Sequence, residues 1–255
     1  MKVVLLAGGL GSRLSEETET RPKPLVEIGQ YPIIWHIMKI YSSYGLNDFI
    51  ICCGYKGYLI KEFFANYMLH TRDVKIDIKK NKIEVLNNNQ DTDNWKITLV
   101  DTGPNSQTGG RLRRVKKYIN DTFCLTYGDG LSDVNIKNLL KFHKSTKNIA
   151  TMTVVNPPGR FGTASILNNL VDKFDEKPTT EKGWINGGFF VFEKDIFKYL
   201  RSDDEILEEY PLKTITNKKK LNAFKHEGFW HPMDTLRDKR LLESLWIKKA
   251  PWKCW

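Results

Sequence analysis

The chain has 255 residues, of which 40% are hydrophobic and 27% are charged, an ordinary composition for one large or two small soluble domains. Its net charge is +10, and the 30 lysines, which outnumber the 10 arginines, are spread along the whole length. No apolar run approaches the roughly 20 residues that span a membrane. These features disfavour nucleic-acid-binding and membrane proteins, and the basic surface would equally suit small phosphorylated substrates.

The first half of the chain alternates apolar strands with amphipathic helices. Continuous apolar runs predict buried strands at 3–7 and 49–53. A helix is predicted to begin at Pro32 and to end at Gly45, and the apolar residues of 59–68 predict a second helix. Strands buried on both faces and separated by helices indicate a parallel sheet covered on both sides.

The rest of the chain extends the same pattern. The next predicted elements are a hairpin over 74–85, a polar loop over 87–94, a strand at 97–99, a helix over 112–119 and a strand at 123–127. Strands then predominate, at 151–155, 171–174 and 189–192, before a last helix over 236–245. Neither a linker nor a repeat separates the halves. We therefore predict an α/β fold with a mixed, mostly parallel central sheet, in which the second half extends the sheet of the first.

The cysteines and the last residues bear on location and assembly. Cys52 and Cys53 are adjacent and the other two thiols stand alone, without a CxxC pair or a Cys/His cluster. This favours a reducing compartment, and the short apolar start lacks a secretion signal, so we expect a cytoplasmic protein. Trp252 and Trp255 would be a liability if exposed. They predict a tail docked on its own or a neighbouring subunit, and we expect a homo-oligomer.

A glycine-rich loop, LLAGGLGSRL, follows the first strand at residues 5–14. Glycines at the end of a strand let backbone N–H groups approach phosphates, although the glycines alone also fit a tight strand-to-helix turn. The triphosphate P-loop is excluded because no Gly-Lys-Ser/Thr follows, and the dinucleotide fingerprint is excluded because Leu14 stands where its third glycine belongs. Arg13 and Lys23 add cations that would suit a triphosphate.

Two aspartates stand where ligands collect in such folds. Asp129, in TYGDG, ends a buried strand, and Asp234, in PMDT, precedes the last helix. Either could be structural, Asp129 as a turn residue and Asp234 as a helix cap shared with Thr235. Carboxylates are also the ligands that Mg²⁺ takes together with substrate phosphates.

Three further segments have both structural and functional interpretations. The run from Thr108 to Arg111 reads as a helix start with a solvated arginine, or as a loop of small residues that admits a flat ring. Glu176-Lys177-Pro178 reads as a surface turn. Asn186-Gly187-Gly188 interrupts an apolar strand, where glycine indicates the close approach of another group. Gly162, in RFGT, fits the same interpretation.

The segment LAGGLGSRL, followed by Pro22-Lys23-Pro24-Leu25, resembles the signature of the nucleoside-diphosphate-sugar pyrophosphorylases. The resemblance extends along nearly the whole chain through SEET, WHIMK, DFIICCGYKGY, TGGRL, TYGDG, PPGRFG, INGGFF and PMDTLRDK, and these segments resemble members that use CTP and glucose 1-phosphate. The chain departs from the family pattern at Ser12, where threonine is common, at His231, where glutamine is frequent, and in the variable stretch 81–94.

This resemblance implies a single Rossmann-like nucleotidyltransferase domain over 1–255, with a nucleotide-binding half at about 1–150 and a sugar-phosphate-binding half at about 151–255. It implies transfer of a cytidylyl group from CTP to glucose 1-phosphate, with release of pyrophosphate, Mg²⁺ as cofactor and no covalent enzyme intermediate. Two alternatives stay open. One is a related enzyme that uses UTP or dTTP, and the other is a catalytically silent sugar-nucleotide-binding protein.

The resemblance also implies roles for individual residues. The implied nucleotide-binding residues are Leu6, Ala7, Gly8, Gly9, Gly11, Ser12, Arg13, Lys23, Thr108, Gly109 and Arg111. The implied sugar-phosphate-binding residues are Gly162, Glu176, Lys177, Asn186 and Gly187. Asp129 and Asp234 would hold the metal ion. The implied catalytic residues are Arg13, Lys23 and Lys177, with Arg111 donating to the base.

Overall fold

The strands form where the sequence is continuously apolar or β-branched, and they alternate with helices through most of the chain. A computed structural model describes residues 1–86, 93–157, 163–167, 170–175 and 183–255. Its strands are β1 Lys2–Ala7, β2 Glu27–Ile28, β3 Tyr31–Pro32, β4 Asp48–Cys53, β5 Val74–Asp77, β6 Lys82–Val85, β7 Lys96–Asp101, β8 Phe123–Tyr127, β9 Gly130–Ser132, β10 Ala150–Val155, β11 Thr163–Leu167, β12 Leu170–Asp175, β13 Ile185–Phe192, β14 Leu221–His226 and β15 Trp230–Pro232.

Helices pack on both faces of the sheet. They are α1 Ser15–Thr18, α2 Ile33–Ser42, α3 Gly57–Ala65, α4 Tyr67–Thr71, α5 Thr108–Arg114, α6 Ile136–Thr146, α7 Tyr210–Asn217 and α8 Leu236–Lys249. Short 3₁₀ turns lie at Ser12–Leu14, Lys23–Leu25, Lys116–Tyr118 and Lys194–Tyr199. No helix in the described part of the chain has the length and apolarity needed to cross a bilayer.

The central sheet of the described residues has seven strands in the order β14-β10-β13-β8-β1-β4-β7. β1 pairs in parallel with β4 and β8, and β4 pairs in parallel with β7. β13 is antiparallel to both β8 and β10, whereas β10 and β14 are parallel. The predicted mixed, mostly parallel α/β fold is confirmed, and strands from the second half of the chain join the sheet of the first half.

This topology places several chain segments at one edge of the sheet. Because β1, β4 and β8 run in parallel, their carboxyl ends meet at that edge. β13 runs the other way, so its first residues, Ile185 and Asn186, also lie there, opposite Val155 and Val154 of β10. Loops from both halves of the chain therefore converge on one edge.

Two predicted helices differ in detail from the structure. The helix expected over 59–68 is divided at Asn66, whose backbone (φ −100°, ψ 16°) ends α3 and precedes α4. The helix expected over 112–119 ends at Arg114 and continues as a 3₁₀ turn. α7 and β14 were not predicted, because the lysine-rich run between them reads as an exposed turn. The predicted polar loop lies partly outside the described residues, at 87–92.

The C-terminal tail docks on its own chain. Trp252 is fully buried, stacks on Phe229 at 5.5 Å between ring centroids, and donates from Nε1 to His36 Nδ1 (3.4 Å). Trp255 meets Trp35 edge to face at 5.7 Å. Of the two sites expected for the tail, the structure shows the one on the same chain. The homo-oligomer stays a prediction.

Candidate active site

The glycine loop turns sharply after β1. Gly11 has φ +66°, a left-handed conformation that favours glycine, and it precedes the 3₁₀ turn that carries Arg13. A Cβ on Gly11 would lie 2.8 Å from Cγ2 of Thr18. Glycine is therefore required here on two counts, and the turn directs the backbone from Gly8 to Arg13 along the edge of the sheet.

The Arg111 side chain holds this loop in place through hydrogen bonds. Its side chain is buried and donates to Gly8 O (2.9 Å), Gly103 O (2.8 Å) and Thr102 Oγ1 (2.8 Å). A Cβ on Gly8 would lie 2.1 Å from Nη1 of Arg111, and one on Gly54 would lie 2.3 Å from it. These glycines leave room for the guanidinium, which ties together the loops that follow β1, β4 and β7.

The hydrogen bonds of Arg111 bear on its predicted role. Its guanidinium also donates to Pro104 O (3.1 Å) and Cys53 O (3.5 Å), so its donors are directed at protein acceptors. Burial lowers the pKa of Arg111, although an arginine stays charged at any physiological pH. The family resemblance predicts donation from Arg111 to a nucleobase. The structure assigns Arg111 a bracing position, and base contact stays a prediction.

A cavity of about 600 Å³ lies above the loop. The predicted site residues that line it are Leu6, Ala7, Gly8, Gly9, Gly11, Ser12, Arg13, Lys23, Thr108, Arg111 and Asp129. Sequence reasoning did not assign the segment from Pro104 to Gln107, which also lines the cavity, nor Tyr127 and Gly128. The structure thus brings the glycine loop, both cations and one aspartate to a single cavity.

Gly109 and Gly110 face away from this cavity. A Cβ on Gly109 would lie 2.7 Å from Glu205 O, and one on Gly110 would lie 2.0 Å from Asp203 O. Glycine is needed in this motif because the start of α5 packs against the backbone of 203–205. The expected space for a flat ring is occupied there by protein, and the role of Gly109 in nucleotide binding stays a prediction.

Lys23 joins the two candidate metal ligands. Its Nζ lies 2.6 Å from Asp129 Oδ2 and 2.7 Å from Asp234 Oδ1, and the lysine residue is only 9% exposed. Arg13 Nη1 adds a contact to Asp234 Oδ2 at 3.0 Å. Two aspartates that are far apart in sequence therefore converge with both predicted cations.

Local strand pairing explains this convergence. β9 and β15 are antiparallel with Gly130 opposite Pro232, and Met233 N donates to Asp129 O (2.8 Å). Asp234 is thereby held beside Asp129. The N-cap of α8 is Thr235, in a capping box with Asp238, so the Asp234 carboxylate faces the cations instead of capping the helix.

The charges of this cluster offset one another. Burial lowers the pKa of Lys23, but the carboxylates of Asp129 and Asp234 outweigh that effect and the pKa is raised overall. Lys23 is therefore an ammonium at neutral pH, and the cluster pairs two cations with two anions. A polyanion entering the cavity would meet cations that are already held in place.

The residues present fit a divalent metal ion of the kind that substrate phosphates help to bind. Mg²⁺ takes oxygen ligands and often only one or two carboxylates, the remainder being phosphates and water. Asp129 and Asp234 supply two carboxylates that approach one cationic nitrogen. Within the described ranges, no group of three or more acidic, histidine or cysteine side chains forms a complete protein cage.

A second cavity, of about 190 Å³, adjoins the first and shares Arg13, Tyr127 and Asp129 with it. Gly187 and Asp234 line this cavity, whereas Asn186 is not among its lining residues and donates from Nδ2 to the Tyr127 hydroxyl (3.0 Å). The predicted sugar-phosphate residues Gly162, Glu176 and Lys177 lie outside the described residues.

Two residues of this region had weak sequence signals. Trp230 lines the second cavity and donates from Nε1 to Gly187 O (2.7 Å), and it stands four residues before Asp234. Glu208 contacts both Tyr127 and Thr108, but the acidic run that contains it reads as solvated surface. His231, a departure from the family pattern, lies 3.8 Å from Asp238 and contacts neither aspartate of the cluster in the described bonds.

The chain is similar in sequence to known proteins along its whole length. The family model described as nucleotidyl transferase matches residues 2–235. The chain is 54% identical to the glucose-1-phosphate cytidylyltransferase of Salmonella typhimurium strain LT2 over 258 residues, with all of both chains covered. It is 40% identical, again over the full length of both chains, to the probable glucose-1-phosphate cytidylyltransferase of Bacillus subtilis strain 168.

Solved structures agree on the fold. A putative glucose-1-phosphate thymidylyltransferase from Bacillus anthracis, solved in complex with a sucrose, matches with a TM-score of 0.70 at 20% identity, covering 96% of this chain and 94% of that one. At this identity the match concerns the fold alone. The resemblance predicted from the motifs is confirmed by the full-length relatives, and the chain belongs to the nucleotidyl transferase family.

Proposed function

We propose that the protein transfers a cytidylyl group from CTP to glucose 1-phosphate, giving CDP-glucose and pyrophosphate. The observation that carries this proposal is the cluster of Lys23 with Asp129 and Asp234, at 2.6 and 2.7 Å, beside a glycine loop that lines the same cavity. The names of the full-length relatives at 54% and 40% identity support the choice of CTP and glucose 1-phosphate.

The reaction requires positioning more than acid–base chemistry. A sugar-phosphate oxygen attacks the α-phosphorus, the bond to the β-phosphate bridging oxygen breaks, and pyrophosphate leaves in line. The attacking oxygen is already an anion, so no side chain has to remove a proton from it. The protein has to hold two anions that repel each other and to stabilise the charge that develops on the leaving group.

The chain supplies groups for both tasks. The glycine loop lines the larger cavity, and its backbone N–H groups would bind the triphosphate. Arg13, whose side chain is 73% exposed, can reach the departing pyrophosphate, and Lys23 lies deeper between the carboxylates. Lys177 would hold the sugar phosphate and Glu176 the sugar hydroxyls, with Gly162 and Asn186-Gly187 beside the hexose.

The metal site follows from the same cluster. Asp129 and Asp234 would hold Mg²⁺ together with phosphate oxygens. When bound, Mg²⁺ neutralises phosphate charge and acts as a Lewis acid on the group that is transferred. Lys23 would keep the two carboxylates close to each other before substrate binds, which limits the rearrangement required.

Two other functions are distinguishable from this one. An enzyme that uses UTP or dTTP would share the phosphate and metal groups and differ only at the base, whose edge reverses donors and acceptors between cytosine and uracil. A silent sugar-nucleotide-binding protein would not need the cluster of Arg13, Lys23 and the two aspartates. The intact cluster favours an enzyme, and the relatives' names favour CTP.

The deciding experiment measures pyrophosphate release with glucose 1-phosphate and each of CTP, UTP, dTTP and ATP. We expect CTP to give the highest kcat/KM and CDP-glucose to appear in equal amount. Comparable rates with UTP or dTTP would contradict the cytidylyl assignment and retain the nucleotidyl transfer. Binding of CDP-glucose without any pyrophosphate release would instead support the silent protein.

The metal assignment has its own test. Asp129→Asn and Asp234→Asn should each weaken Mn²⁺ binding, followed by electron paramagnetic resonance in the presence of CTP, because each removes one of two carboxylate charges. Asp195→Asn is the matched control, since Asp195 is exposed and pairs only with Lys198 in the described contacts. Unchanged Mn²⁺ binding in both variants would contradict the site.

A further inference from the structure

Four side chains form a line of hydrogen bonds between the two cavities. Asn186 donates from Nδ2 to the Tyr127 hydroxyl oxygen (3.0 Å), and the Tyr127 hydroxyl donates to Glu208 Oε1. Thr108 Oγ1 donates to the other carboxylate oxygen, Glu208 Oε2 (2.7 Å). Thr108 lines the larger cavity and Tyr127 lines both, so the line connects one side of the cleft to the other.

The carboxylate sets the direction of these bonds. An ionised carboxylate only accepts, so both hydroxyls must point their protons at Glu208. The Tyr127 oxygen is then left to accept from the Asn186 amide, whose Oδ1 accepts from Gly188 N (2.8 Å). Burial and then the Glu208 carboxylate raise the pKa of Tyr127, which keeps it a donor. Gly188 N thus fixes the orientation of the Asn186 amide, and Glu208 fixes the orientation of the Tyr127 hydroxyl that accepts from that amide.

The backbone around this line holds it in place. Gly188 has φ +79°, and a Cβ there would lie 2.6 Å from Cδ2 of the Tyr127 ring, so glycine lets β13 pack against the tyrosine. Thr108 accepts from Leu207 N (2.9 Å), which ties the start of α5 to the segment carrying Glu208. The hydrogen-bonded side chains are therefore mounted on packed elements, as a positioning role requires.

We propose that Glu208 is a positioning residue that holds Tyr127 at the sugar side of the cleft and Thr108 at the nucleotide side. The inference rests on the proposed function, because it takes Asn186-Gly187 as the hexose side and Thr108 as the nucleotide side. Tyr127 lines the second cavity, so the position in which its ring and hydroxyl are held bounds the space that a hexose would occupy. Removing the carboxylate would take away the acceptor of the Tyr127 hydroxyl, whereas the Asn186 amide would keep its bond from Gly188 N.

Glu208→Gln should affect the sugar side and the nucleotide side of the cleft differently. The glutamine carbonyl can still accept from Thr108, but its NH₂ then faces Tyr127, whose own proton loses its acceptor. We expect the KM for glucose 1-phosphate to rise about five- to tenfold, as for the loss of one or two hydrogen bonds, with the KM for CTP within about twofold. Tyr127→Phe should give the same split.

The double variant Tyr127→Phe/Glu208→Gln tests whether the residues act together. We expect it to be no worse than the more affected single variant, since both changes interrupt one line. Thr108→Val should show the converse split, with a raised KM for CTP and an unchanged KM for glucose 1-phosphate. Additive losses in the double variant, or equal KM changes for both substrates in Glu208→Gln, would overturn the proposal.

Glu193→Gln is the matched structural control. Glu193 also accepts from a threonine hydroxyl, Thr122 Oγ1 (2.9 Å), but it follows β13 at the opposite edge of the sheet. This variant should lose thermal stability without changing either KM, and a KM change equal to that of Glu208→Gln would count against positioning. The wild-type rate with CTP tests the proposed function separately, because all variants are compared with it.

Discussion

Two basic side chains are buried around the glycine loop, and their surroundings differ in charge. Lys23 contacts two carboxylates, at 2.6 and 2.7 Å. Arg111 donates to backbone carbonyls and one hydroxyl, all of them neutral acceptors. A cation held by carboxylates can exchange them for phosphates, whereas a cation held by carbonyls braces the loops that supply them. The family resemblance implies substrate binding for both, although the residues alone also fit a solvated arginine at position 111.

His36 extends the comparison to a buried base that carries no charge. It lies among tryptophans of α8 and the tail, where Nε2 donates to Ile28 O (3.0 Å) and Nδ1 accepts from Trp252 Nε1 (3.4 Å). Burial lowers the pKa of His36 to about 4. These contacts suit only the neutral ring. Lys23 is thus a cation paired with carboxylates, Arg111 is a cation bonded to neutral acceptors, and His36 is a buried base without a charge.

The largest effect is expected at Lys23. Lys23→Met should lower kcat by roughly 10²–10³-fold, the loss typical of removing one preorganised stabilising donor. Lys39→Met is the control, because Lys39 is another partly buried lysine, paired with Asp93 at 2.9 Å outside the two cavities. Steady-state kinetics and thermal melting should be measured on both. Full turnover in Lys23→Met, with a lowered melting temperature, would show that the lysine pairing is structural only.

The second largest effect is the pH dependence of the free energy of unfolding that the burial of His36 produces. The unfolded state takes up a proton on His36 near pH 6.5, while the folded state resists it down to about pH 4. The contribution of His36 to the free energy of unfolding is therefore fully present above pH 6.5. It falls by roughly 3 kcal/mol in total as the pH drops toward 4. Urea titrations at several pH values should show this slope in the wild type.

The His36→Gln variant should lack that part of the pH dependence. It will be less stable at pH 7, and its deficit relative to the wild type should shrink as the pH approaches 4. His70→Asn is the control, since His70 is exposed. A deficit that stays constant between pH 7 and pH 4 would mean that His36 is not kept neutral by its surroundings.

Much of the sheet could be predicted because its strands are apolar on both faces. The runs at 49–53 and 123–127 have few other interpretations, and parallel pairing then places the glycine loop and Asp129 at one edge. The placement of Asp234 beside Asp129 depends on the pairing of β9 with β15, two three-residue strands. Pattern reasoning cannot detect such short elements, and only the family resemblance linked the two aspartates.

The remaining differences have physical causes that a linear pattern does not contain. Arg111 turns inward because three loops present carbonyl oxygens to one point, and those loops are up to 103 residues away in sequence. Glu208 matters only through partners 81 and 100 residues away, and its own neighbours look like solvated surface. Residues that act on other residues are the ones sequence reasoning missed.

The smallest effect is expected at Arg111, and it should appear mainly in stability. In Arg111→Lys, one ammonium cannot reach acceptors on Gly8, Thr102 and Gly103 together, so buried carbonyls lose a donor at about 1–3 kcal/mol each. We expect the free energy of unfolding to fall by about 2 kcal/mol, with kcat reduced less than about tenfold. Arg113→Lys is the control, because Arg113 is exposed on the same helix and pairs with Asp203 at 3.0 Å. Denaturant unfolding and steady-state kinetics separate the two quantities, since a brace acts on folding before it acts on the reaction. If Arg111→Lys instead kept its stability and lost as much turnover as Lys23→Met, Arg111 would belong with the substrate-binding cations after all.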